Sequence, residues 1–545
     1  MPSFFKRRQI TKQKMKQKKE EQTKQKIGDY GTTPLPSSLK EKIDFIKSET
    51  GNSFDVIIRK ADLDEKLGIE TAVVYIDGIS NTQIINDFLI HSIIKNRELH
   101  RKQPNKDIFE IVREEVVALG DVKVLPNWKE VFQMLMAGET VVLIDGETRA
   151  LGASTRGGEQ RSIEEPGSQV TVRGPRDGFT ESIGTNIALI RRRIQNPNLW
   201  VEVMKVGRVT KTDVSIMYIN GIAKEEIVAE VRERLNRIEI DSILESGYIE
   251  ELIEDESYTT FPTLYYTERP DMVAGNLLEG RVAILVNGTP FVLIAPTVFI
   301  QFFQSVEDYY GRAFLATSLR FLRVLIFFIS IIAPASYIAG TTFHQEMIPT
   351  QLLIAIAAQR ETVPFPAFIE ALIMEVSFEI LREAGVRMPR AVGSAISIVG
   401  ALVIGQAAVQ AGIVSPAMVI IVAITAIANF ATPSFAVAIS ARIIRFLFMI
   451  AAATFGFYGI ILGLVVLAIH LTSLRSFGVP YVTPLAPMIP KDLGDTVFRL
   501  PLWSLKTRPA LISSEQSQTR VGGDQHPKPD SSKKMVPKKQ KGEQE

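Results

Sequence analysis

Charged residues are distributed unevenly along this 545-residue chain. They are frequent up to about Arg323 and again after Arg475, whereas residues 391–441 contain none. Residues 324–343 are 20 consecutive uncharged positions, and about 20 such residues suffice for a helix to cross the hydrocarbon core of a bilayer. The pattern predicts an integral membrane protein in which a large soluble region precedes an α-helical multi-span membrane domain.

Three further apolar segments predict membrane helices, namely residues 391–411, 416–432 and 446–469. Basic residues precede the first span and follow the last one, which places both ends of the domain on the cytoplasmic side. An even number of spans follows, and we expect four within residues 296–475. The aromatic segment 296–314 has the composition of a helix in the membrane interface.

Residues 347–389 are apolar but carry several charges. As a helix, this amphipathic segment places Glu375, Glu379, Arg382 and Glu383 on one face about 100° wide. Such a face cannot contact lipid hydrocarbon. The segment therefore lies at the interface, re-enters the membrane beside other subunits, or lines water, and the sequence leaves these three placements open.

The soluble region contains an internal duplication. VVYIDGI at 73–79 matches IMYINGI at 216–222, and GETVVLIDGETRAL at 138–151 matches GRVAILVNGTPFVL at 280–293. The two offsets are 143 and 142 residues. Two matches at nearly one offset indicate a repeated structural unit.

Each repeat contains β-rich apolar runs that end in Asp-Gly or Asn-Gly, dipeptides typical of tight turns with positive φ. Mixed strands and helices predict two related α/β modules, at 50–155 and 199–295. The chain ends are rich in Lys, Gln, Pro and Ser. We expect residues 1–49 to form a basic disordered arm and residues 476–545 a largely disordered cytoplasmic tail.

The connector between the modules, residues 156–198, is rich in Gly and Arg and ends in a predicted helix. Arg173, Arg176 and Glu181 are its candidate interface residues. The arginines could bind phosphate, but the segment lacks the strand–glycines–Lys–helix context of a phosphate loop. We favour a charged loop that docks on a neighbouring domain or subunit.

Polar side chains at membrane depth are costly unless they bond to each other or to water. They either form hydrogen bonds between helices or line a hydrated pore. The candidate pore or gating residues are Gln406, Gln410, Thr425, Asn429, Glu375 and Glu379. Small residues at four-residue spacing let another helix approach closely, and these candidate packing residues are Gly393, Ser397, Ala401 and Gly405.

The sequence offers little catalytic chemistry. It has no cysteine, which excludes thiolate nucleophiles, disulfides and zinc–thiolate sites. The five histidines show no metal-ligand spacing, and motifs of serine hydrolases, zinc proteases and nucleotide-binding proteins are missing. We predict a protein that is not an enzyme and has no cofactor, no metal site and no nucleic-acid partner.

Several long segments resemble the A subunits of spore germinant receptors, the GerA family. They are RGPRDGFTE and NIALIRRRI within 164–194, TERPDMVAGNLLEGRVAILVNGTPFVLIAPTVFIQFFQSVEDYY at 267–310, and RETVPFPAFIEALIMEVSFEILREAGVRMPRAVGSAISIVGALVIGQAAVQAGIVSP at 360–416. The likeness covers about residues 50–490. No single piece is a mechanistic motif, but the order and extent of the segments make the likeness specific.

The resemblance implies a subunit of a nutrient-sensing receptor in the inner membrane of the spore, with both termini on the core side. It implies as partners a transporter-like B subunit that binds the nutrient and a lipoprotein C subunit. It also implies self-assembly, with a pentamer as the expected state. The expected activity is transduction of germinant binding into ion release, as part of an oligomeric ligand-gated cation channel in contact with membrane lipid.

Other functions stay open at this point. A similar accessory protein of the spore dipicolinic acid channel shares the RGPR and PFPAF-type segments, although the chain length and the basic arm favour a receptor subunit. A non-conducting membrane scaffold is a further alternative. A secondary transporter fits less well, because its repeats would lie in the membrane part, whereas this duplication lies in the soluble region.

Overall fold

A computed structural model of the chain describes residues 30, 33–64, 69–86, 109–110, 112–113, 122–158, 165–167, 169, 171–387, 403–517 and 519–520. The soluble region contains two five-stranded sheets with helices packed on them, and a bundle of apolar helices follows. This confirms the predicted fold class.

The first module is an antiparallel sheet with helical residues packed on both faces. Its elements are α1 (Leu39–Glu49), β1 (Val56–Asp64), β2 (Ile69–Ile76), α2 (Thr82–Ile84), β3 (Val122–Leu125), α3 (Trp128–Met136), β4 (Thr140–Ile144) and β5 (Ala150–Ala153). The strand order is β1-β2-β4-β5-β3. Because successive side chains point to opposite faces, Val74 and Ile76 pack with Trp128 on one side, and Val73 and Tyr75 pack with Phe109 on the other.

The second module repeats this topology after the connector helix α4 (Ile183–Arg193). Its elements are β6 (Leu199–Val206), β7 (Thr212–Ile219), α5 (Glu225–Asn236), α6 (Ser246–Ile253), β8 (Tyr265–Thr267), α7 (Pro270–Leu278), β9 (Val282–Val286) and β10 (Val292–Ala295). The strand order β6-β7-β9-β10-β8 corresponds strand by strand to the first sheet. The register corresponds too, since Val73 pairs with Val142 and Ile216 pairs with Ile284.

The four predicted turns have the expected backbone. Gly78, Gly146, Gly221 and Gly288 have φ angles of 78°, 82°, 81° and 96°. A side chain at such angles would strain the backbone, which is why glycine follows each Asp or Asn.

A buried ion pair joins the two modules through α4, which packs on the second module. Arg191 Nε donates to Asp55 Oδ2 at 2.6 Å, and Arg191 Nη2 donates to Asp55 Oδ1 at 2.9 Å. Beside it the Trp200 indole covers Gly51, where an added Cβ would lie 2.1 Å from the ring. The module boundary is therefore packed as tightly as a protein interior.

Both predicted disordered ends are corrected in part by the structure. In the arm, 1–49, helix α1 buries Leu39, Ile43 and Ile46 against the first module. In the tail, 476–545, residues 476–517 are described and lie against module 2 and the linker that follows it. Composition misled here because a polar segment can fold when distant parts of the chain supply the apolar partners.

Residues 476–520, named here the C-terminal strap, complete the second module. In module 1, Ser80 forms a β-bridge with Arg156, just after β5. At the matching place in module 2, Ala223 pairs with Ser513, because the chain has left that module after β10. An added Cβ at Gly280 would lie 3.0 Å from Ser513 Cα. In module 2 the strap therefore takes the place that the residues directly after β5 occupy in module 1.

The predicted interfacial helix at 296–314 is also corrected. Phe302 and Phe303 are 2% and 1% exposed. Their rings contact Tyr265 of module 2 at 5.5 Å and Phe327 of the bundle at 5.2 Å between centroids. These aromatic residues form a protein core between module 2 and the bundle, since both surfaces offer apolar partners.

The bundle begins after this aromatic linker. Its elements are α8 (Glu307–Tyr310), α9 (Ala313–Thr342), α10 (Thr350–Arg360), α11 (Ala367–Arg387), α12 (Pro416–Phe430) and α13 (Phe435–Ser473). Within the described ranges, α9 and α13 are long and apolar enough to cross a membrane by length and composition, and α12 is a shorter apolar helix. The predicted span 391–411 lies mostly outside the described residues, so the count of four spans stays a prediction.

Helix α13 is a hairpin of two arms rather than one straight helix. Gly456 has φ 60° and ψ −141°, a conformation open essentially to glycine. An added Cβ at Gly459 would lie 2.1 Å from the carbonyl oxygen of Ala451, whereas eight residues of straight helix span about 12 Å. The predicted single span at 446–469 is therefore wrong, because the chain turns back within it.

Both ends of the bundle lie at the soluble region. The hydroxyl of Ser440, in the first arm of α13, contacts the Thr260 carbonyl. In the second arm, His470 Nε2 lies 2.9 Å from Thr259 Oγ1. Helix α9 also contacts α8 and the aromatic linker, residues 296–306, near its own start. Because α9 begins and α13 ends on the same side of the bundle, this arrangement agrees with an even number of helices crossing it.

Candidate functional site

Glu375 and Arg445 form a buried ion pair inside the bundle. Arg445 Nη1 donates to Glu375 Oε2 at 2.5 Å, and the two side chains are 4% and 6% exposed. Arg445 Nε also donates to the Ser330 carbonyl at 2.6 Å. Thr425 Oγ1 donates to Glu375 Oε1 at 3.3 Å. Four elements, α9, α11, α12 and α13, therefore meet at one pair of charges.

A second pair extends this cluster toward the bundle surface. Arg442 Nη1 contacts Glu379 Oε1, and Arg382 Nη1 lies 3.9 Å from Glu379 Oε2. The Arg382 guanidinium lies 5.1 Å from the centroid of the Phe430 ring. The structure pairs Glu375 and Glu379 of α11 with arginines of the same chain, a contact that is not among the three placements left open from sequence.

The order of these pairs defines how the helices run. Glu375 pairs with Arg445 and Glu379 pairs with Arg442, so α11 and the first arm of α13 are antiparallel. Removing one partner of a buried pair leaves an uncompensated charge and costs about 3–5 kcal/mol. A rearrangement that separated these residues would therefore leave buried charges without partners.

A third acid, Glu370, anchors the start of α12. Its side chain is fully buried, and Arg360 Nε lies 3.3 Å from Oε1. The Ser415 N–H donates to Glu370 Oε2 at 3.0 Å, and the Tyr337 hydroxyl lies 3.2 Å from Ser415 Oγ. A carboxylate at a helix N-terminus is stabilised by the helix dipole, so Glu370 links α10, α11 and α12.

The structure separates the remaining pore candidates into two groups. Thr425 and Asn429 are buried on α12, and neither amide atom of Asn429 has a hydrogen-bond partner among the described residues. Gln406 and Gln410 are exposed on the surface of the single chain. The structure therefore brings Glu375 and Thr425 together but not the two glutamines, and a pore role for any of them stays a prediction.

Only one of the four candidate packing residues is described. An added Cβ at Gly405 would lie 3.3 Å from Val419 Cγ1 of α12, so the residues on either side of this glycine approach α12 closely. Gly393, Ser397 and Ala401 lie outside the described residues.

The connector candidates contact the linker and the second module. Arg176 Nη1 donates to Glu165 Oε1 at 3.1 Å within the connector. The Arg173 N–H donates to Glu307 Oε1 of α8 at 3.3 Å. The Glu181 carbonyl accepts an N–H from the β9–β10 turn at 2.8 Å. These contacts support a loop that docks on neighbouring elements, and its functional role stays a prediction.

A cluster of charges fastens α9 to the soluble region. Arg320 Nε donates to Asp308 Oδ2 and Arg320 Nη1 to Asp495 Oδ1, both at 2.8 Å, and Arg320 and Asp308 are each 1% exposed. Arg323 Nη1 lies 2.9 Å from Asp308 Oδ1. The Tyr309 hydroxyl donates to Asp495 Oδ2 at 2.9 Å. Burial raises the pKa of Asp495, and the Arg320 charge opposes that rise.

Sequence reasoning missed the basic partners in these clusters. Arg442 and Arg445 lie between the uncharged run 391–441 and the predicted span 446–469, and Arg320 is one of the basic residues before the first span. One signal could have found the pairs: Glu375 and Glu379 are four residues apart and Arg442 and Arg445 three apart, spacings that place each pair on one helix face. Within the described ranges, no group of His, Asp and Glu residues is arranged to hold a metal ion.

Comparison with known proteins places the chain in a family. Residues 44–511 match the family described as Bacillus/Clostridium GerA spore germination protein. The chain belongs to the GerA family. Spore germination protein KA of Bacillus subtilis is 60% identical over 504 residues, which are 92% of each chain. Spore germination protein GerLA of Bacillus cereus is 40% identical over 486 residues, which are 89% of this chain and 98% of the other.

A solved structure is also similar to this GerA family protein. It is the crystal structure of the N-terminal domain of the A subunit of the Bacillus megaterium spore germinant receptor GerK3, at 46% identity and a TM-score of 0.40. The match covers 50% of this chain and 100% of that chain. Family membership confirms the resemblance to the A subunits of germinant receptors that the sequence indicated.

Proposed function

We propose that this GerA family protein is the A subunit of a nutrient-sensing germination receptor and transduces germinant binding into ion release. The observation that carries the proposal is the Glu375–Arg445 pair, where four helical elements meet on buried charges. In this proposal the pair holds the bundle in one arrangement, and gating separates it at the cost of uncompensated buried charges. A discrete rearrangement is what a gating subunit needs.

The Arg320 cluster supports the coupling part of this proposal. It ties the linker after module 2, the first long apolar helix and the C-terminal strap together through buried ion pairs. A shift of module 2 would therefore move α9 with it. Helix α9 in turn contacts Arg445 through the Ser330 carbonyl, which connects the soluble region to the charges in the bundle.

The exposed glutamines support assembly with other subunits. A polar side chain on a lipid-facing helix surface is unfavourable unless it meets water or another polar group. We propose that Gln406 and Gln410 lie at a contact between copies of this chain or at a water-filled pore between them. In this proposal the receptor lies in the inner membrane of the spore, both termini face the core, and a pentamer of this chain works with the B and C subunits as a cation channel.

The experiment replaces Glu375 by Gln in the spore-forming source organism and measures potassium release after a panel of amino acids, sugars and nucleosides. Glu375→Gln leaves Arg445 charged and buried, so we expect loss of release for the nutrient class that this receptor serves. The double variant Glu375→Gln/Arg445→Gln has no uncompensated charge, and we expect it to retain more protein in the membrane than the single variant.

The matched control is Glu361→Gln, the same substitution at an exposed acid before α11. It should leave release unchanged. Normal potassium release from Glu375→Gln spores that contain normal amounts of the protein would contradict the proposal. It would favour a scaffold or an accessory role in dipicolinic acid release.

A further inference from the structure

A cavity lies between module 2, the aromatic linker and the C-terminal strap. Its volume is about 90 Å³, and Arg281, Ile300, Thr483, Lys491 and Lys506 are among the residues that line it. A cavity of this size, with charged and polar side chains among its lining, has room for several water molecules or a small ion. Its walls come from three parts of the chain that the fold brings together.

Two buried polar groups in the cavity wall have unused hydrogen-bonding capacity. Arg281 and Thr483 are 5% and 4% exposed. Neither Arg281 Nε nor Thr483 Oγ1 has a hydrogen-bond partner among the described residues. Leaving such a group unpaired costs about 1–3 kcal/mol, and more when it is charged. Two of them in the wall of one cavity point to a ligand that accepts hydrogen bonds.

The acidic groups of the cavity are already engaged. The Glu279 carboxylate accepts from Arg281 Nη1 and from Arg520 Nη2, each at 2.9 Å. Asp492 Oδ2 accepts the Ala510 N–H at 2.8 Å. Burial raises the pKa of Asp492, which further reduces the negative charge in the wall.

The basic groups, by contrast, are in excess. Lys491 and Lys506 are exposed at the rim, and Arg281 and Arg520 share the single carboxylate of Glu279. The wall holds four basic residues and three acidic ones, since Asp495 also lines it and is paired with Arg320, so hydrogen-bond donors and positive charge are in excess. A cationic ligand would add to this positive charge, whereas an anion would accept hydrogen bonds from the donors and also offset the charge.

We propose that this cavity binds a small oxyanion, a carboxylate or phosphate group. Arg281 Nε and Thr483 Oγ1 hold it at the buried end, and Lys491 and Lys506 attract it at the rim. Arg281 belongs to module 2 and the other three residues belong to the strap, so the bound anion fastens the strap to the module. The inference does not rest on the proposed receptor function.

The test uses the full-length chain in phosphatidylcholine nanodiscs, titrated with inorganic phosphate or with succinate. Both probes should raise the thermal unfolding temperature in a concentration-dependent way, as a ligand of the folded state does. Thr483→Val removes the hydroxyl at nearly constant volume. We expect it to lower the affinity about 10-fold, the factor that corresponds to one hydrogen bond.

Thr483→Val also makes a prediction about the unfolding temperature in the absence of phosphate and succinate. Because the hydroxyl is buried without a partner, Thr483→Val should leave the unfolding temperature unchanged or raise it. Lys491→Gln, at the exposed rim, should weaken binding about 2- to 3-fold at low salt. Lys129→Gln, an exposed lysine on module 1, is the control and should bind both probes normally.

Each result of these titrations either supports the oxyanion site or overturns it. Loss of affinity in Thr483→Val and Lys491→Gln but not in Lys129→Gln supports it. Stabilisation by phosphatidylglycerol nanodiscs in place of the free probes also supports the site and identifies the oxyanion as a lipid headgroup. Absence of any stabilisation, unchanged affinity in Thr483→Val, or a lower unfolding temperature of that variant without probe would overturn it.

Discussion

The ion pair between Asp55 and Arg191 should control how firmly the two modules are joined. Its geometry is bidentate, with distances of 2.6 and 2.9 Å, and the side chains are 5% and 1% exposed. Asp55→Asn keeps the size of the side chain but removes its charge. Arg191 then stays buried and charged, with Ser53 Oγ at 2.9 Å as a remaining neutral acceptor.

Removing one partner of a buried pair costs about 3–5 kcal/mol. Since Ser53 and the new amide oxygen still accept hydrogen bonds, we expect a loss near the lower end, about 3 kcal/mol. Chemical denaturation of the full-length chain in detergent would measure it. Fluorescence is a suitable signal because the Trp200 indole covers Gly51 at the module boundary, so opening of that boundary exposes the ring to water.

Asp177→Asn is the matched control, because Asp177 pairs with Arg193 on the same helix as Arg191. Arg193 Nη2 lies 2.6 Å from both oxygens of Asp177, but these side chains are 22% and 27% exposed. Pairs that reach solvent contribute about 0–1 kcal/mol, so this variant should lose less than 1 kcal/mol. If Asp55→Asn is no more destabilised than Asp177→Asn, burial of the pair does not hold the modules together.

Two other variants test the hairpin of α13 and a buried acid in module 2. Gly456→Ala places a side chain at φ 60° and within 3.0 Å of Phe343 Cβ, so it should lower stability by at least about 2 kcal/mol. Gly340→Ala is the control, because its new methyl group would meet its nearest neighbour only at 3.8 Å, an ordinary contact. Equal unfolding temperatures for the two variants would contradict a strained turn at Gly456. Burial, reinforced by Glu254 and Glu245, raises the pKa of Glu250 to about 7. The pKa of an unfolded glutamate is about 4.3, so the folded state binds the proton more tightly and stability should fall as pH rises from about 4.3 to 7. At pH 8 Glu250→Gln should be more stable than the parent chain by on the order of 1–3 kcal/mol, and at pH 4 the two should be equally stable. A constant difference in unfolding temperature between the two chains from pH 4 to 8 would refute this.

The features that sequence analysis predicted correctly depend on neighbouring residues. The Asp-Gly and Asn-Gly turns are local, because positive φ at Gly78 or Gly221 is a property of a few residues. The repeated strand order follows from a repeated pattern of apolar runs and turns. Long uncharged runs likewise indicated apolar helices, since helix length and hydropathy can be counted along the chain.

The errors arose where distant residues decide the structure. The composition of 446–469 predicts one helix, yet Gly456 reverses the chain. Phe448 of the first arm then lies against Gly463 of the second, and α13 packs on α9. The strap was expected to be disordered, because nothing near Ser513 in sequence shows that module 2 lacks a segment beside Ala223. Glu375 was recognised as a charge that needs a partner, but not that the partner is Arg445.

The sequence alone therefore determined the division into soluble and apolar parts, the duplicated modules and their turns, and the family. The tertiary structure alone decided which charges pair, where the hairpin turns back and how the strap completes the second module. Propensity and periodicity act over a few residues. The choice between possible ion-pair partners depends on which helix faces approach, and packing settles that only after the whole chain has folded.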